Sequence, residues 1–258
     1  MRILAVAAAL LLISGTAQAA SISLTSASPY SQNFDTLSNS TIPSTALPLG
    51  WQIVETGTNA DGAYAASNGS NIAGNTYSFG GVGSIDRALG SIRSESLVPT
   101  FGAVFTNNTG ATITEFAIQY TGEEWRLGGE GRTDQLNFQY AVGSSAVGSG
   151  TFTGVAGLDF ITPDTFTAGA KDGNQAGERT LLSTTITGLS IANGEGFVIQ
   201  WLDADVGGQD DGLAVDDFSL TPTLASTSPT PLPSTLSLMV TGFAGLGFVA
   251  WRRRRVSP

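Results

Sequence analysis

The sequence contains no cysteine and no histidine, and Lys171 is its only lysine. Without cysteine the chain has no disulfide framework, no thiolate nucleophile and no cysteine-ligated metal. Without histidine it lacks the Ser-His-Asp and Cys-His nucleophilic arrangements and a histidine-bound zinc. Neither absence excludes export, because a domain of about 200 residues buries enough core to fold without disulfides.

Charged residues are also scarce, at 12% of the 258 positions, whereas glycine occurs 33 times. This composition is typical of a β-rich extracellular domain. Residues 20–228 hold six basic residues against 21 acidic ones, a net charge of −15. Such a polyanion repels nucleic acid and anionic lipid, which leaves cations, neutral glycans and protein surfaces as partners. The same charge also fits a surface that only keeps the protein soluble.

The chain divides into four zones. Residues 1–19 have one arginine, a short apolar run and small residues before the cleavage point, which predicts a secretory signal peptide; a retained membrane helix is disfavoured because the run is too short to span. Residues 20–222 form the predicted folded module. Residues 223–233 are a Pro/Ser/Thr linker that we expect to be extended. Residues 234–258 predict a transmembrane helix with an arginine-rich tail.

Short runs of alternating apolar residues recur within the module, separated by glycine and asparagine clusters. They include the stretches FGAVF (101–105), EFAIQY (115–120), QLNFQYAV (135–142) and GFVIQWLD (196–203). Period-two alternation without a helical stretch predicts an all-β fold, an antiparallel β-sandwich. Among sandwich topologies we favour a jelly roll.

An acidic stretch lies near the end of the module, in WLDADVGGQDDGLAVDDFSL (201–220). The apolar positions change parity at Asp216 and Asp217, which predicts a β-bulge there. Neighbouring carboxylates repel each other unless one is protonated or a cation lies between them, and hard oxygen ligands suit Ca²⁺. Asp210, Asp211, Asp216 and Asp217 are therefore candidate calcium ligands; the alternative is an acidic surface loop.

Two adjacent glutamates, Glu123 and Glu124, are the candidates for catalysis without histidine or cysteine. Glycoside hydrolysis needs only a pair of carboxylates. Adjacent strand residues point to opposite faces, however, so the fold would have to supply a partner such as Asp134 or Asp203. An ion pair between Arg126 and one of the glutamates is the simpler interpretation.

Trp51 and Trp125 are candidate platforms for stacking on sugar rings, because one follows a loop and the other lies beside charged residues. Aromatic residues of this size are also frequent in protein cores. Both interpretations stay open for these two residues, whereas Trp201 alternates with Phe197 and Ile199 and is expected in the core.

The end of the chain, TPLPSTLSLMVTGFAGLGFVAWRRRR (230–255), resembles the PEP-CTERM sorting signal of bacterial surface proteins. That resemblance implies export, transient anchoring in the inner membrane, processing by an exosortase-type enzyme and delivery to the cell surface or extracellular matrix. Leu232 stands where the family usually has glutamate. The matching residues are the proline motif Pro231, Leu232 and Pro233 and the basic cluster Arg252, Arg253, Arg254 and Arg255.

The module resembles the jelly-roll ectodomains of such proteins, which are similar to carbohydrate-binding modules. The matching pieces are QNFDTL (32–37), YTGEEWR (120–126) and LDADVGGQDDGLAVDDFSL (202–220). The resemblance implies a structural calcium held by an acidic residue of an early strand and an aspartate of the last strand, here Asp35 and Asp216.

These observations together predict an exported, surface-sorted β-sandwich that is stabilised by calcium and has no catalytic activity. The alternative is a carbohydrate-binding module that attaches to exopolysaccharide. A carboxylate-based glycosidase is the third hypothesis.

Overall fold

The computed structural model describes residues 20–226, and no α-helix occurs among them. One 3₁₀ turn, Ala156–Leu158, interrupts an otherwise all-β chain. The strands, numbered in chain order, are β1 (Ile22–Leu24), β2 (Tyr30–Gln32), β3 (Trp51–Thr56), β4 (Tyr64–Ser67), β5 (Asn75–Phe79), β6 (Ala88–Ile92), β7 (Val98–Asn107), β8 (Ile113–Leu127), β9 (Gln135–Val142), β10 (Thr153–Gly154), β11 (Phe160–Ile161), β12 (Gly169–Ala170), β13 (Arg179–Ile186), β14 (Gly196–Asp203) and β15 (Gly212–Leu224).

The strands form two sheets that pack as a sandwich. In the seven-stranded sheet, β1 and β3 share one edge of β7, β14 pairs with β7 and β9, and β10 and β11 share the far edge of β9. In the eight-stranded sheet, one edge of β15 pairs with β8, and its other edge pairs with both β2 and β6. The sheet continues beyond β6 with β5 and then β4. β12 and β13 pair with the other edge of β8. The predicted β-sandwich is confirmed.

The alternating runs of the sequence build the core between the sheets. Phe101, Ala103 and Phe105 of β7 are fully buried, as the period-two pattern predicts. Trp201 of β14 is also fully buried and stacks on Phe101 with ring centroids 5.8 Å apart. Large aromatic residues on neighbouring strands of one sheet fill the space between two sheets with few side chains.

A second apolar cluster covers part of the outer face of the eight-stranded sheet. It contains Tyr77, Phe79 and Trp125, and Phe79 stacks on Trp125 with centroids 6.2 Å apart. The outer face of this sheet is therefore partly buried by loops. For this reason β5 and β6 are almost entirely buried rather than alternating between buried and exposed.

The last strand extends two residues beyond the boundary predicted at residue 222. Pro222 lies inside β15 opposite Phe116 of β8. Its missing N–H is tolerated because β2 pairs with β15 only as far as Leu220, so the other edge of β15 is open at this point. The first compact unit of the chain ends at Ala225.

The predictions of a signal peptide at 1–19, a sorting motif at 231–233 and a membrane anchor at 234–258 lie outside the described residues. Between residues 20 and 226, no helix is long and apolar enough to cross a membrane.

Candidate functional site

The predicted β-bulge is present at Asp216 and Asp217. Asp216 lies opposite Thr121, and Ser219 lies opposite Gln119. Between these pairs, β15 has two residues, Asp217 and Phe218, where β8 has only Tyr120. Asp217 absorbs the extra residue in a left-handed conformation, with φ 48°. Asp216 is buried, and its Oδ1 accepts the N–H of Asp217 at 2.7 Å.

The bulge lies where two strands meet along one edge of β15. β6 pairs with Leu213–Val215 and β2 pairs with Phe218–Leu220, which leaves the bulge between them. The chain leaving β2 brings Asp35 to this place, and the chain entering β6 brings Asp86. The two segments are joined by the N–H of Arg87, which donates to Asp35 Oδ1 at 3.4 Å.

Glu123 of β8 approaches the same place from the other side of β15. It is almost fully buried, and its Oε2 accepts the indole N–H of Trp125 at 2.9 Å, whereas Oε1 has no hydrogen-bond partner. We call Asp35, Asp86, Glu123, Asp216 and Asp217 together the acidic junction.

Among the described residues, no carboxylate of the acidic junction forms an ion pair, although Arg179 lies opposite Glu123 in the strand register. Burial raises the pKa of Glu123 to about 7, although the Trp125 hydrogen bond and Arg179 oppose the shift. Burial and the neighbouring charge of Glu123 raise the pKa of Asp216 to about 8. Arg87 does not relieve this, because its guanidinium is directed to the hydroxyl and carbonyl oxygens of Ser78.

The donor atoms of the acidic junction are of the type that calcium prefers, namely carboxylate oxygens next to an irregular strand. Among residues 20–226, however, no three acidic side chains come together closely enough to hold a metal ion.

The other predicted metal ligands, Asp210 and Asp211, lie elsewhere. Asp211 and Asp216 are five residues apart along an extended segment, which separates them by about 16 Å. The carboxylate of Asp211 is fully buried and already bonded: Oδ1 accepts the Gly128 N–H at 2.7 Å, and Oδ2 accepts the Thr162 hydroxyl at 2.6 Å. The five predicted ligands therefore do not form one site, and Asp211 has the contacts of a structural carboxylate.

Trp51 and Trp125 are both buried, so neither presents a ring face to a sugar. Trp51 stacks on Trp201 at a centroid distance of 6.0 Å and donates its indole N–H to Tyr30. The loop at Gly173 covers Trp125 so tightly that a Cβ on that glycine would lie 2.5 Å from the indole nitrogen. The core interpretation, which the sequence left open, is the one observed for both residues.

Glu123 and Glu124 point to opposite faces of β8, as expected for adjacent strand residues. Glu124 accepts the backbone N–H of Asp164 at 3.0 Å on the core side, and burial raises its pKa to about 8. The predicted ion pair with Arg126 is not formed, because that guanidinium donates to the Gly69 carbonyl at 3.1 Å. Loop residues 68–74 thus provide a partner that the local sequence could not indicate.

The two carboxylates proposed as catalytic partners are buried and make structural hydrogen bonds, although Oδ1 of Asp203 has no partner. Asp134 accepts the backbone N–H groups of Gln135 and Asp211, at 2.7 and 3.0 Å. Asp203 is completely buried and accepts the Ser91 hydroxyl at 2.6 Å. These contacts are those of residues that join strands and loops.

A polar groove lies on the outer face of the eight-stranded sheet, across β13, β8 and β15. Its volume is about 400 Å³. No local sequence pattern indicates this groove, because its lining residues, mostly serines and threonines, come from three strands that are distant in the sequence. The lining residues are Ala117, Ile118, Gln119, Ser183, Thr184, Thr185, Ser219 and Thr221.

Comparison with known proteins gives only distant structural resemblances. No protein-family model matches the chain, and no curated protein matches it. The chain is similar to the K3 cleaved adhesin domain of Lys-gingipain from Porphyromonas gingivalis, with 14% identity, a TM-score of 0.42, and 67% of this chain and 93% of that chain covered.

Two further solved structures resemble it less. One is the CBM22-1 xylan-binding domain of Xyn10C from Paenibacillus barcinonensis, with 12% identity, a TM-score of 0.36, and 76% and 95% of the two chains covered. The other is the enzymatically active domain of tailspike protein 4 of bacteriophage CBA120, with 8% identity and a TM-score of 0.37. It covers 67% of this chain, which spans only 19% of the tailspike chain. At these scores the resemblances transfer no function to the chain.

Proposed function

We propose that the chain is an exported, surface-sorted jelly-roll domain without catalytic activity, in which a calcium ion stabilises the acidic junction. The observation that carries the proposal is that the segments holding Asp35 and Asp86 meet β15 on either side of the Asp216–Asp217 bulge, beside a buried glutamate oxygen that has no partner. A divalent cation would give Glu123 Oε1 a partner and would offset the repulsion between Glu123 and Asp216.

Sorting is supported by the sequence of the terminus rather than by the fold. An apolar segment followed by Arg252–Arg255 holds its basic end in the cytoplasm under the positive-inside rule. Replacing the four arginines by serine should change the proportions of the protein in the membrane fraction and in the released fraction, as measured by immunoblotting. An unchanged distribution would argue against sorting by this signal.

The calcium proposal is tested by thermal unfolding of residues 20–226 in EDTA and in millimolar Ca²⁺. This segment contains both sheets and the whole of the described core. A ligand that binds only the native state at 100 times its Kd stabilises it by about 2.7 kcal/mol. We expect the unfolding midpoint to rise by about 5 to 10 °C. Equal midpoints in EDTA and Ca²⁺ would refute the calcium site.

Asp216→Asn tests whether the ion acts at the acidic junction. The amide keeps the shape of the side chain and removes one of the two repelling charges. The variant should be more stable than the parent protein in EDTA and should gain nothing from Ca²⁺. Glu95→Gln, at an exposed position away from the junction, is the matched control and should respond to Ca²⁺ like the parent.

A second function, binding of a neutral polysaccharide, is favoured by the polar groove. Gln119 and the hydroxyls of Ser183, Thr185, Ser219 and Thr221 offer donors and acceptors without a net charge. The groove has no aromatic residue for stacking, so we expect weak binding. Calorimetric titration with a panel of soluble polysaccharides should show binding that Gln119→Ala weakens. If no polysaccharide of the panel binds, this second function is refuted and only the structural role remains.

A further inference from the structure

The eight-stranded sheet has an open edge at β13. This strand pairs with β8 over eight residues, from Arg179 opposite Glu123 to Ile186 opposite Phe116. Within residues 20–226 no strand pairs with its other side. We propose that this edge is the docking surface for a second copy of the same chain, which continues the sheet through an antiparallel β13–β13 pair.

The composition of β13 sets it apart from a protected edge strand. Edge strands are commonly shielded by lysine, proline or short length. Residues 180–186, TLLSTTI, contain no charged residue, no proline and no glycine. All seven belong to types that favour or tolerate strands, so the backbone is ready to accept a partner.

The side chains of β13 leave that edge accessible. Four of the eight residues of the strand are exposed, three of them on one face, and Leu181 is 65% exposed. The 3₁₀ turn approaches from the core side, where Thr184 Oγ1 lies 3.4 Å from the Gly157 carbonyl oxygen. Leu182 packs against the core from the same side. A partner strand added in the plane of the sheet would meet no charged residue of β13 along the uncharged run.

A second copy is the occupant that the charge distribution fits. The module is strongly acidic, so two copies approach each other only where both surfaces are neutral. The uncharged run is centred on Ser183, and a two-fold axis at that residue pairs Thr180 with Ile186 and Leu181 with Thr185. Arg179 then faces Thr187, and the two arginines lie at opposite ends of the pair. An isologous contact of this kind closes at a dimer.

Sedimentation velocity of residues 20–226 from micromolar to millimolar concentration tests the proposal. We expect a reversible monomer–dimer equilibrium. Ser183→Lys places two lysines face to face across the axis and should shift dimerisation to at least tenfold higher concentration. Thr58→Lys, at an exposed loop position with the same change of charge, should dimerise like the parent protein. A parent that stays monomeric at millimolar concentration, oligomers larger than a dimer, or equal behaviour of the two variants would overturn the proposal.

The absence of cysteine permits a second and more local test. Ser183→Cys introduces the only thiol of the chain, on the predicted axis, so any disulfide formed is intermolecular. Mild oxidation should convert this variant to a covalent dimer much faster than it converts Thr58→Cys. Equal rates of cross-linking would show that β13 does not meet its own copy.

Discussion

Two Asp-Asp pairs lie six residues apart in the same segment of the chain, and the structure treats them oppositely. At the first pair, the carboxylate of Asp211 receives a backbone N–H, a hydroxyl and the guanidinium of Arg132 at 3.4 Å. At the second pair, Asp216 receives one backbone N–H and lies beside the buried, partly unpartnered Glu123. The chemical groups are identical, so the difference shows that the donors supplied by other strands decide whether a buried aspartate stabilises or strains a fold.

The largest difference between the pairs should appear on removing Asp211. Asp211→Ala leaves the Gly128 N–H without an acceptor and Arg132 without its carboxylate, and each such loss costs about 1–3 kcal/mol. The Thr162 hydroxyl keeps only its longer bond, 3.2 Å, to the Asp134 carbonyl oxygen. We expect the free energy of unfolding to fall by about 3 kcal/mol or more in urea denaturation. Asp217→Asn, at an exposed aspartate of the second pair, is the control and should change stability by less than about 1 kcal/mol, because asparagine also tolerates the left-handed backbone at this position. Similar losses in both variants would remove the distinction between the pairs.

Part of the pH dependence of stability should come from Glu123 and Asp216, beside the similarly raised Glu124. The folded-state pKa values of Glu123 and Asp216, about 7 and about 8, lie above the unfolded values near 4, so the native state binds more protons than the unfolded state between them. Their contribution to stability is therefore complete below about pH 4 and is lost as the pH rises through the folded-state values. At about 1.4 kcal/mol per pH unit for each group, denaturation at about pH 6 and about pH 9 should show a loss of up to about 4 kcal/mol from these two groups.

Asp216→Asn should flatten that dependence, because it removes one of the two coupled groups, and Ca²⁺ should flatten it in the parent protein. Stability that rises between pH 6 and pH 9 would show that the carboxylates of the acidic junction are compensated in a way that the contacts do not reveal.

The smallest effect should be that of relieving the backbone at the bulge. Asp217 has φ 48°, a conformation that costs an ordinary residue about 1 kcal/mol or more, although aspartate tolerates it better than most. Asp217→Gly should therefore stabilise the native backbone while loosening the unfolded chain, for a net change within about 1 kcal/mol. Asp217→Val should be clearly less stable than Asp217→Gly. A valine variant as stable as the glycine variant would show that the bulge relaxes.

The sequence predicted those parts of the fold that depend on local alternation. The runs ending at Phe105, Tyr120, Val142 and Asp203 are strands, and the change of parity at Asp216 located the bulge to the residue. Parity is a property of consecutive side chains, so it can be read without knowing which strand lies alongside.

The sequence did not predict which acidic residues share a site. Asp86 joins the acidic junction because β6 and β2 share one edge of β15. Asp211 accepts hydrogen bonds from Thr162 and Gly128, which lie 49 and 83 positions away along the chain. Trp125 is covered by a loop that follows it by almost fifty residues. These contacts are set by the pairing of distant strands, which no local pattern contains.

The sharing of one β15 edge by β2 and β6 has a consequence for the order in which the protein can be made. β2 is one of the first strands synthesised, and its pairing partner, Phe218–Leu220, is among the last described residues. Until β15 has emerged, β2 has no strand edge to join and the eight-stranded sheet is incomplete. Completing that sheet therefore depends on contacts of very long sequence separation, which form slowly.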